Sequence, residues 1–129
     1  MMKNSMRTLL VAVLSLGLLA LPTAASADDD RKTRTGKCSG PATYRMTVRE
    51  LDDDKLRIRF FVNTSSKNKT WKVRAHRNGN LVAKGTPTTN RYGNFTFVRT
   101  VRGDDDDFIR VRAVSPTGQV CARGFRIDG

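Results

Sequence analysis

The chain has little of the chemistry from which most enzyme and metal sites are built. Its 129 residues include one histidine, two cysteines and one tryptophan. A zinc site needs about three or four His and Cys ligands, and this chain cannot supply them at a suitable spacing. The only histidine, His76, has no serine in a nucleophile motif with which to form a Ser-His-Asp arrangement. The sequence therefore predicts a non-catalytic protein without a required cofactor.

Long apolar segments are also scarce, and the one present is close to the N-terminus. Residues 9–21 are mainly apolar, follow Lys3 and Arg7, and precede small residues that end at Ala27. This order is typical of a secretory signal, and about a dozen apolar residues are too few for a spanning helix, which needs roughly 20. We expect residues 1–27 to be a cleaved signal peptide. The mature chain is then secreted or envelope-associated, without a transmembrane segment.

Carboxylates are few compared with cations. The chain has 24 Lys and Arg against 12 Asp and Glu, a formal net charge of +12. Removal of the signal takes Lys3 and Arg7 away, which leaves +10 on 102 residues, the size of one domain. This charge favours polyanionic partners such as nucleic acid, anionic cell-wall polymers or anionic lipid. The alternative is a charged surface that only keeps the protein soluble.

The two cysteines, Cys38 and Cys121, lie near opposite ends of the mature chain. An even pair in a small exported domain indicates a disulfide, which at this loop length stabilises the fold by about 4 kcal/mol. A reactive or metal-binding thiol pair is disfavoured, because neither cysteine belongs to a C-x-x-C motif.

Most of the chain shows a period of two. Residues 28–36 are charged and contain no apolar side chain, so we expect a flexible lead-in there. From residue 37 onward, apolar and polar residues alternate in seven short segments, with a hairpin signal at Asn78-Gly79. The pattern predicts an all-β domain over 37–129, a seven-stranded antiparallel sandwich. The alternating apolar positions include Tyr44, Met46, Val48, Leu56, Ile58, Phe60, Val62, Trp71, Val73, Ala75, Phe95, Phe97, Ile109, Val111 and Ala113.

At this strand count the sequence resembles the immunoglobulin-like and fibronectin-type-III-like β-sandwiches. The resemblance rests on the seven strands, on Trp71 at the start of the third, and on a disulfide from the first strand to the last. The segments Cys-Ser-Gly, Gly-Asn-Phe and Thr-Gly-Gln-Val-Cys are similar to those of small exported proteins of Gram-positive bacteria without an assigned activity. These resemblances imply a fold and a compartment rather than a function.

The basic residues are concentrated at outward positions of the predicted strands. A row of cations on a pleated surface can hold a chain of phosphates or uronates by charge, and Phe61 and Phe108 lie outward beside them. The alternative is a solvated face whose long side chains cover the strands. Like charges aligned across paired strands are destabilising, however, and need a reason to persist, so a polyanion-binding surface is our leading hypothesis of function. The candidate binding residues are Arg45, Arg49, Lys55, Arg57, Arg59, Lys72, Arg74, Arg110 and Arg112.

The acidic residues are concentrated in two predicted loops, which the sandwich topology brings to the same end. Converging carboxylates suit a hard ion such as Ca²⁺, but no EF-hand spacing is present and Asp is also a common turn residue. Calcium is therefore a secondary hypothesis. Its candidate ligands are Asp52, Asp53, Asp54, Asp104, Asp105 and Asp106.

A different class of function uses the loops at the opposite end of the sandwich. Loops 64–70, 85–93 and 115–118 converge there, as recognition loops do in immunoglobulin-like folds. The chain is then a protein-interaction module or an exported inhibitor. Polymer binding weakens steeply with ionic strength and loop-mediated recognition does not, which separates the two hypotheses.

Overall fold

The structure is a computed structural model that describes residues 31–127. The expected signal peptide over 1–27, the first residues of the expected lead-in and the last two residues of the chain lie outside this range. No helix within 31–127 is long and apolar enough to cross a membrane.

Eight β-strands account for all of the regular secondary structure in the described range. Along most of them buried and exposed residues alternate, because successive side chains of a strand point to opposite faces. The strands are β1 (Arg31–Lys37), β2 (Thr43–Leu51), β3 (Lys55–Asn63), β4 (Lys72–Arg77), β5 (Asn80–Gly85), β6 (Asn94–Arg102), β7 (Phe108–Val114) and β8 (Val120–Arg126).

The strands form two four-stranded sheets that pack face to face. One sheet has the order β1-β2-β3-β6 and the other β5-β4-β7-β8, and every pairing is antiparallel. The apolar side chains meet between the sheets, where Trp71 is 2% exposed and its ring centroid lies 5.5 Å from that of Phe95. The expected all-β sandwich is confirmed.

Turn chemistry fixes the ends of several strands. Asn78 and Gly79 have φ angles of 50° and 87°, the left-handed conformation that a tight β4–β5 hairpin requires. Asp53 and Asp54, between β2 and β3, also have positive φ, at 64° and 58°. Asp tolerates this conformation better than most residues, so the acidic turn has a conformational reason for its composition.

The expected flexible lead-in is wrong for residues 31–36, and the strand count is eight rather than seven. Arg31–Lys37 pairs with β2 along its whole length as an edge strand. Its backbone hydrogen bonds are supplemented by the Arg34 guanidinium, which lies 4.6 Å from the centroid of the Phe125 ring. At Gly36 any side chain would collide with Tyr44. An edge strand held in this way does not need apolar residues of its own.

The expected disulfide between Cys38 and Cys121 is confirmed. It joins the chain just after β1 to the beginning of β8, with a Cα–Cα distance of 4.2 Å and a sequence separation of 83. Ser39 and Val120 exchange two hydrogen bonds beside it, one from the Ser39 amide and one accepted by the Ser39 hydroxyl. The bridge therefore ties the two sheets together across one side of the sandwich.

We predict that replacing both cysteines by alanine lowers the free energy of unfolding by about 4 kcal/mol, because the unfolded chain loses its cross-link. Denaturant unfolding of Cys38→Ala/Cys121→Ala measures the change. Thr43→Ala, exposed at the start of β2, is the control and should shift the value by less than about 0.5 kcal/mol. A loss below about 1 kcal/mol in the double variant would show that the bridge is not a main source of stability.

Candidate functional site

The first face is the outward surface of the sheet β1-β2-β3-β6. Alternation in β2, β3 and β6 turns most apolar residues inward and leaves mainly polar and basic residues outside, and β1 adds polar and basic residues to the same surface. Every charged side chain on this outward surface is a cation. These cations are Arg31, Lys37, Arg45, Arg49, Lys55, Arg57, Arg59 and Arg102.

The strand register puts several of these cations directly opposite one another. Arg49 of β2 pairs with Arg31 of β1 on one side and with Arg57 of β3 on the other. Paired strands lie about 4.8 Å apart, so the three residues form one row across the sheet. Within the described residues, neither Arg49 nor Arg57 makes an ion pair with a carboxylate. Like charges aligned in this way are unfavourable for folding.

The arginine groove is a depression of about 540 Å³ in the middle of the first face. Its floor contains Thr33 and Thr47, which are paired across β1 and β2 with their hydroxyl oxygens 3.3 Å apart. Because threonine is much shorter than arginine, the long side chains around this pair form the walls. The groove is lined by Arg31, Thr33, Arg45, Thr47, Arg49, Arg57 and Arg59.

The second face is the outward surface of the sheet β5-β4-β7-β8, and its charged residues are again all cations. Arg74 of β4 lies opposite Lys84 of β5 and Arg112 of β7, a second row of three positive charges. The His76 side chain is half-buried beside them, opposite Arg110. The cations of the second face are Lys72, Arg74, Lys84, Arg110, Arg112 and Arg126.

All nine basic residues named from the sequence are on these two faces, as expected. The two outward aromatic residues also lie there: Phe61 is half-buried beside Arg45, and Phe108 is 37% exposed. The Phe108 ring lies over Gly124 of the neighbouring strand, where a Cβ atom would meet it. Each face therefore carries one aromatic ring among its cations.

Sequence reasoning missed several members of the two faces. Arg31 and Thr33 belong to β1, which has no apolar alternation by which to recognise a strand. Lys84 lies in β5, whose pairing with β4 has a register irregularity between Ala75 and His76. This irregularity obscures the alternation of β5. For β1, the one signal that favours a strand is the threonine content of residues 31–37.

The acidic loops lie together at one end of the sandwich, as expected. Asp54, Asp104 and Asp105 line a shallow depression of about 310 Å³ together with Glu50. Among residues 31–127, however, no group of three or more His, Cys, Asp or Glu side chains is placed so that it could hold a metal ion. Calcium binding by these loops stays a prediction.

Asp107, which also lies at the acidic end, has a structural role. Its carboxylate accepts hydrogen bonds of 2.9 Å from the Asp104 amide and from the Asn78 side chain, and lies 4.0 Å from the Arg77 guanidinium. The bond from the Asp104 amide is the main cause of a lowered pKa for Asp107; burial opposes it, and Asn78, Arg77 and Arg126 add to it. Asp107 thus fixes the β6–β7 loop against the β4–β5 hairpin.

The loops at the opposite end are held together by hydrogen bonds. Thr89 is buried and bridges two of them: its hydroxyl donates to the Ser66 carbonyl at 2.7 Å and accepts from the Lys69 amide at 2.8 Å. A small pocket of about 120 Å³ lies nearby, between loops 64–70 and 115–118, and Trp71 forms part of its wall. These loops are therefore preorganised, with room for only a small group between them.

No family model, curated protein or solved structure matches this chain. The function of the chain is therefore inferred from the chemistry of its own residues.

We predict that Asp107→Asn lowers the free energy of unfolding by about 1–2 kcal/mol near neutral pH, because hydrogen bonds to a charged acceptor are lost. Since the folded-state pKa lies below the usual 3.8, ionised Asp107 contributes stability that is complete above that value and lost as the pH falls through the folded pKa. The variant should therefore lose less stability than the parent chain between about pH 5 and about pH 2.

Urea unfolding at several pH values measures this difference. Asp105→Asn, an exposed change in the same loop, is the matched control and should leave the pH profile close to that of the parent chain. If the stability of the parent chain and that of Asp107→Asn change with pH in parallel, the structural role assigned to Asp107 is contradicted.

Proposed function

We propose that this chain is an exported, non-catalytic binding domain that holds anionic polymers of the cell envelope or its surroundings on its two basic faces. One observation carries the proposal. On each face, cations lie directly opposite cations across paired strands, with no carboxylate among the outward side chains of the described strands.

This arrangement is costly for an empty protein and useful for a polyanion-binding one. Two unit charges of the same sign 4 Å apart repel by about 1 kcal/mol in bulk water, and more where protein displaces the water. A bound polyanion replaces the repulsion by attraction and releases its own counterions, which adds to affinity. The rows of side chains across the strands also repeat at a regular spacing, as do the charges of a linear polymer. The faces are therefore suited to hold such a polymer without reading its sequence.

The proposed compartment follows from the disulfide and the N-terminal sequence. Structural disulfides are typical of oxidising compartments, and the Cys38–Cys121 bridge joins distant parts of the fold. The signal-like pattern of residues 1–27 agrees with export. Apart from β1, the remaining strands divide into a sheet of three and a sheet of four, which supports the resemblance to immunoglobulin-like domains.

The surroundings of the single histidine support a non-catalytic function. His76 lines a depression of about 380 Å³ on the second face, together with Lys72, Arg74, Arg112 and Val114. None of these neighbours is a serine, a cysteine or a carboxylate, so His76 has neither a nucleophile to activate nor a carboxylate to orient it there.

Protein recognition by the opposite loops is the second candidate function. The hydrogen bonds around Thr89 and the small pocket beside Trp71 favour it, because a preorganised loop surface binds a partner with less loss of entropy. Its sensitivity to salt should be weak, since few charged side chains are present in those loops.

We predict that the protein binds polyanions with an affinity that falls steeply between about 20 mM and about 300 mM NaCl. Two charge-reversal variants locate the surface: Arg57→Glu/Arg59→Glu on the first face and Arg74→Glu/Arg112→Glu on the second. Each should weaken binding at least about tenfold and flatten the salt dependence, because fewer anions are neutralised. Titration calorimetry or fluorescence anisotropy measures both quantities.

The matched control is Lys67→Glu/Lys69→Glu, which makes the same change in net charge at the exposed loop end. If the control weakens binding as much as the face variants, net charge alone is responsible and the faces are not the binding surface. Absence of binding by the parent chain at low salt would contradict the proposed function. Salt-insensitive capture of a protein partner, lost in the control variant, would favour the loops instead.

A further inference from the structure

We infer that the arginine groove is a binding site for tetrahedral oxyanion groups, phosphate or sulfate, carried on a linear polymer. The inference rests on the proposed function and specifies its ligand class. The inference gives the two faces different modes of binding. The first face contains a site with defined hydrogen-bond donors, whereas the second attracts anions by charge alone.

The donor chemistry of the groove differs from that of the second face. All five cations that line the groove are arginines. Arginine presents a planar fork of N–H donors that grips an oxyanion through two hydrogen bonds at once, whereas lysine acts as a point charge. The second face mixes the two types, since Lys72 and Lys84 flank Arg74 there. A surface that binds anions only through positive charge does not need all of its cations to be arginines.

The groove surrounds its centre with donors on several sides. Thr47 has Arg45 and Arg49 two residues away along β2, Thr33 opposite it on β1, and Arg59 opposite it on β3. A tetrahedral anion directs its oxygens toward several walls at once, whereas the two oxygens of a carboxylate lie in one plane on one side. The two floor hydroxyls share one hydrogen bond, which leaves one of them free to donate to an anion beneath the guanidinium forks. The shape and the donors together favour phosphate or sulfate over carboxylate.

The guanidinium groups of the groove are available for a ligand. Some arginines elsewhere in the described chain use protein acceptors: Arg77 donates to the Arg102 carbonyl and Arg126 to the Asp106 carbonyl. Within residues 31–127, by contrast, Arg45, Arg49 and Arg57 donate no hydrogen bond to a protein atom and form no ion pair. Anion binding therefore breaks no existing interaction of these three residues.

Strand β1 completes the site. It supplies Arg31 to one wall and Thr33 to the floor, and its pairing with β2 sets both residues beside their neighbours. Without β1 the groove would be open on one side. This gives the edge strand, which contributes little to the apolar core, a part in binding.

The test substitutes arginine by lysine, which keeps the charge and removes the fork. The groove variant is Arg49→Lys/Arg57→Lys/Arg59→Lys. Its matched control is Arg74→Lys/Arg110→Lys/Arg112→Lys on the second face, with the same number of changes and the same net charge. The probes are inorganic polyphosphate, dextran sulfate and poly-L-glutamate, each titrated at several salt concentrations.

The groove variant should bind polyphosphate or dextran sulfate about tenfold more weakly than the parent chain, with an unchanged salt slope, because phosphate contacts are lost but charges are not. Its affinity for poly-L-glutamate should change less than about threefold, as should that of the control variant for all three probes. A larger effect on polyphosphate than on dextran sulfate assigns phosphate, and the reverse assigns sulfate.

A second variant tests the floor without altering charge. Thr47→Val removes one hydroxyl and keeps the shape of the side chain, and it should weaken binding of the preferred probe about threefold. Unfolding midpoints close to that of the parent chain show that each variant is folded.

The outcomes distinguish the inference from the proposed function. Equal losses of affinity in the groove variant and its control, or no loss in either, would overturn the oxyanion site in the arginine groove. Polyanion binding by the two faces would still stand. Tighter binding of poly-L-glutamate than of both other probes would also overturn it. Failure of the parent chain to bind any of the three polymers at low salt would overturn the proposed function itself.

Discussion

Packing of two apolar sheet faces against each other is the interaction on which the rest of this structure depends. The core extends through both sheets, from Met46 and Phe60 to Ile109 and Val111, and all four side chains are fully buried. Removing apolar surface from water contributes about 25 cal/mol per Å², whereas the exposed charges contribute little stability or oppose folding. The fold therefore tolerates rows of like charges on its outer faces, because its stability is generated elsewhere.

This separation of tasks connects the fold to the proposed function. Strand geometry repeats every second residue, so the same sequence that packs the core also presents a regular array of side chains to solvent. The disulfide and the hydrogen-bonded ends hold the sheets in place while the faces carry unpaired charge. Most acidic residues lie in loops at one end, so they do not neutralise the faces. Asp53, Asp54 and Asp107 instead have conformational and hydrogen-bonding parts there.

The sequence predicted those features that depend on period-two alternation. Residues such as Arg57 and Arg74 could be placed on outer faces because their neighbours Ile58 and Val73 are apolar and must turn inward. It could not predict β1, which is held by backbone pairing with β2 and has no apolar pattern of its own. The arginine groove was missed for the same reason, since one wall and part of its floor belong to β1. The structural role of Asp107 depends on contacts between loops that are distant in sequence, which no local pattern encodes.

The most direct test of the account is to map where an anion binds, residue by residue. In a titration of the folded chain with tripolyphosphate, followed by the NMR shifts of backbone amides, we expect the largest changes at Thr33 and Thr47 and at their neighbours in β2 and β3. Smaller changes should follow on the second face around Arg74. Shifts confined to loops 64–70 and 115–118, or no saturable shifts on either face, would contradict it.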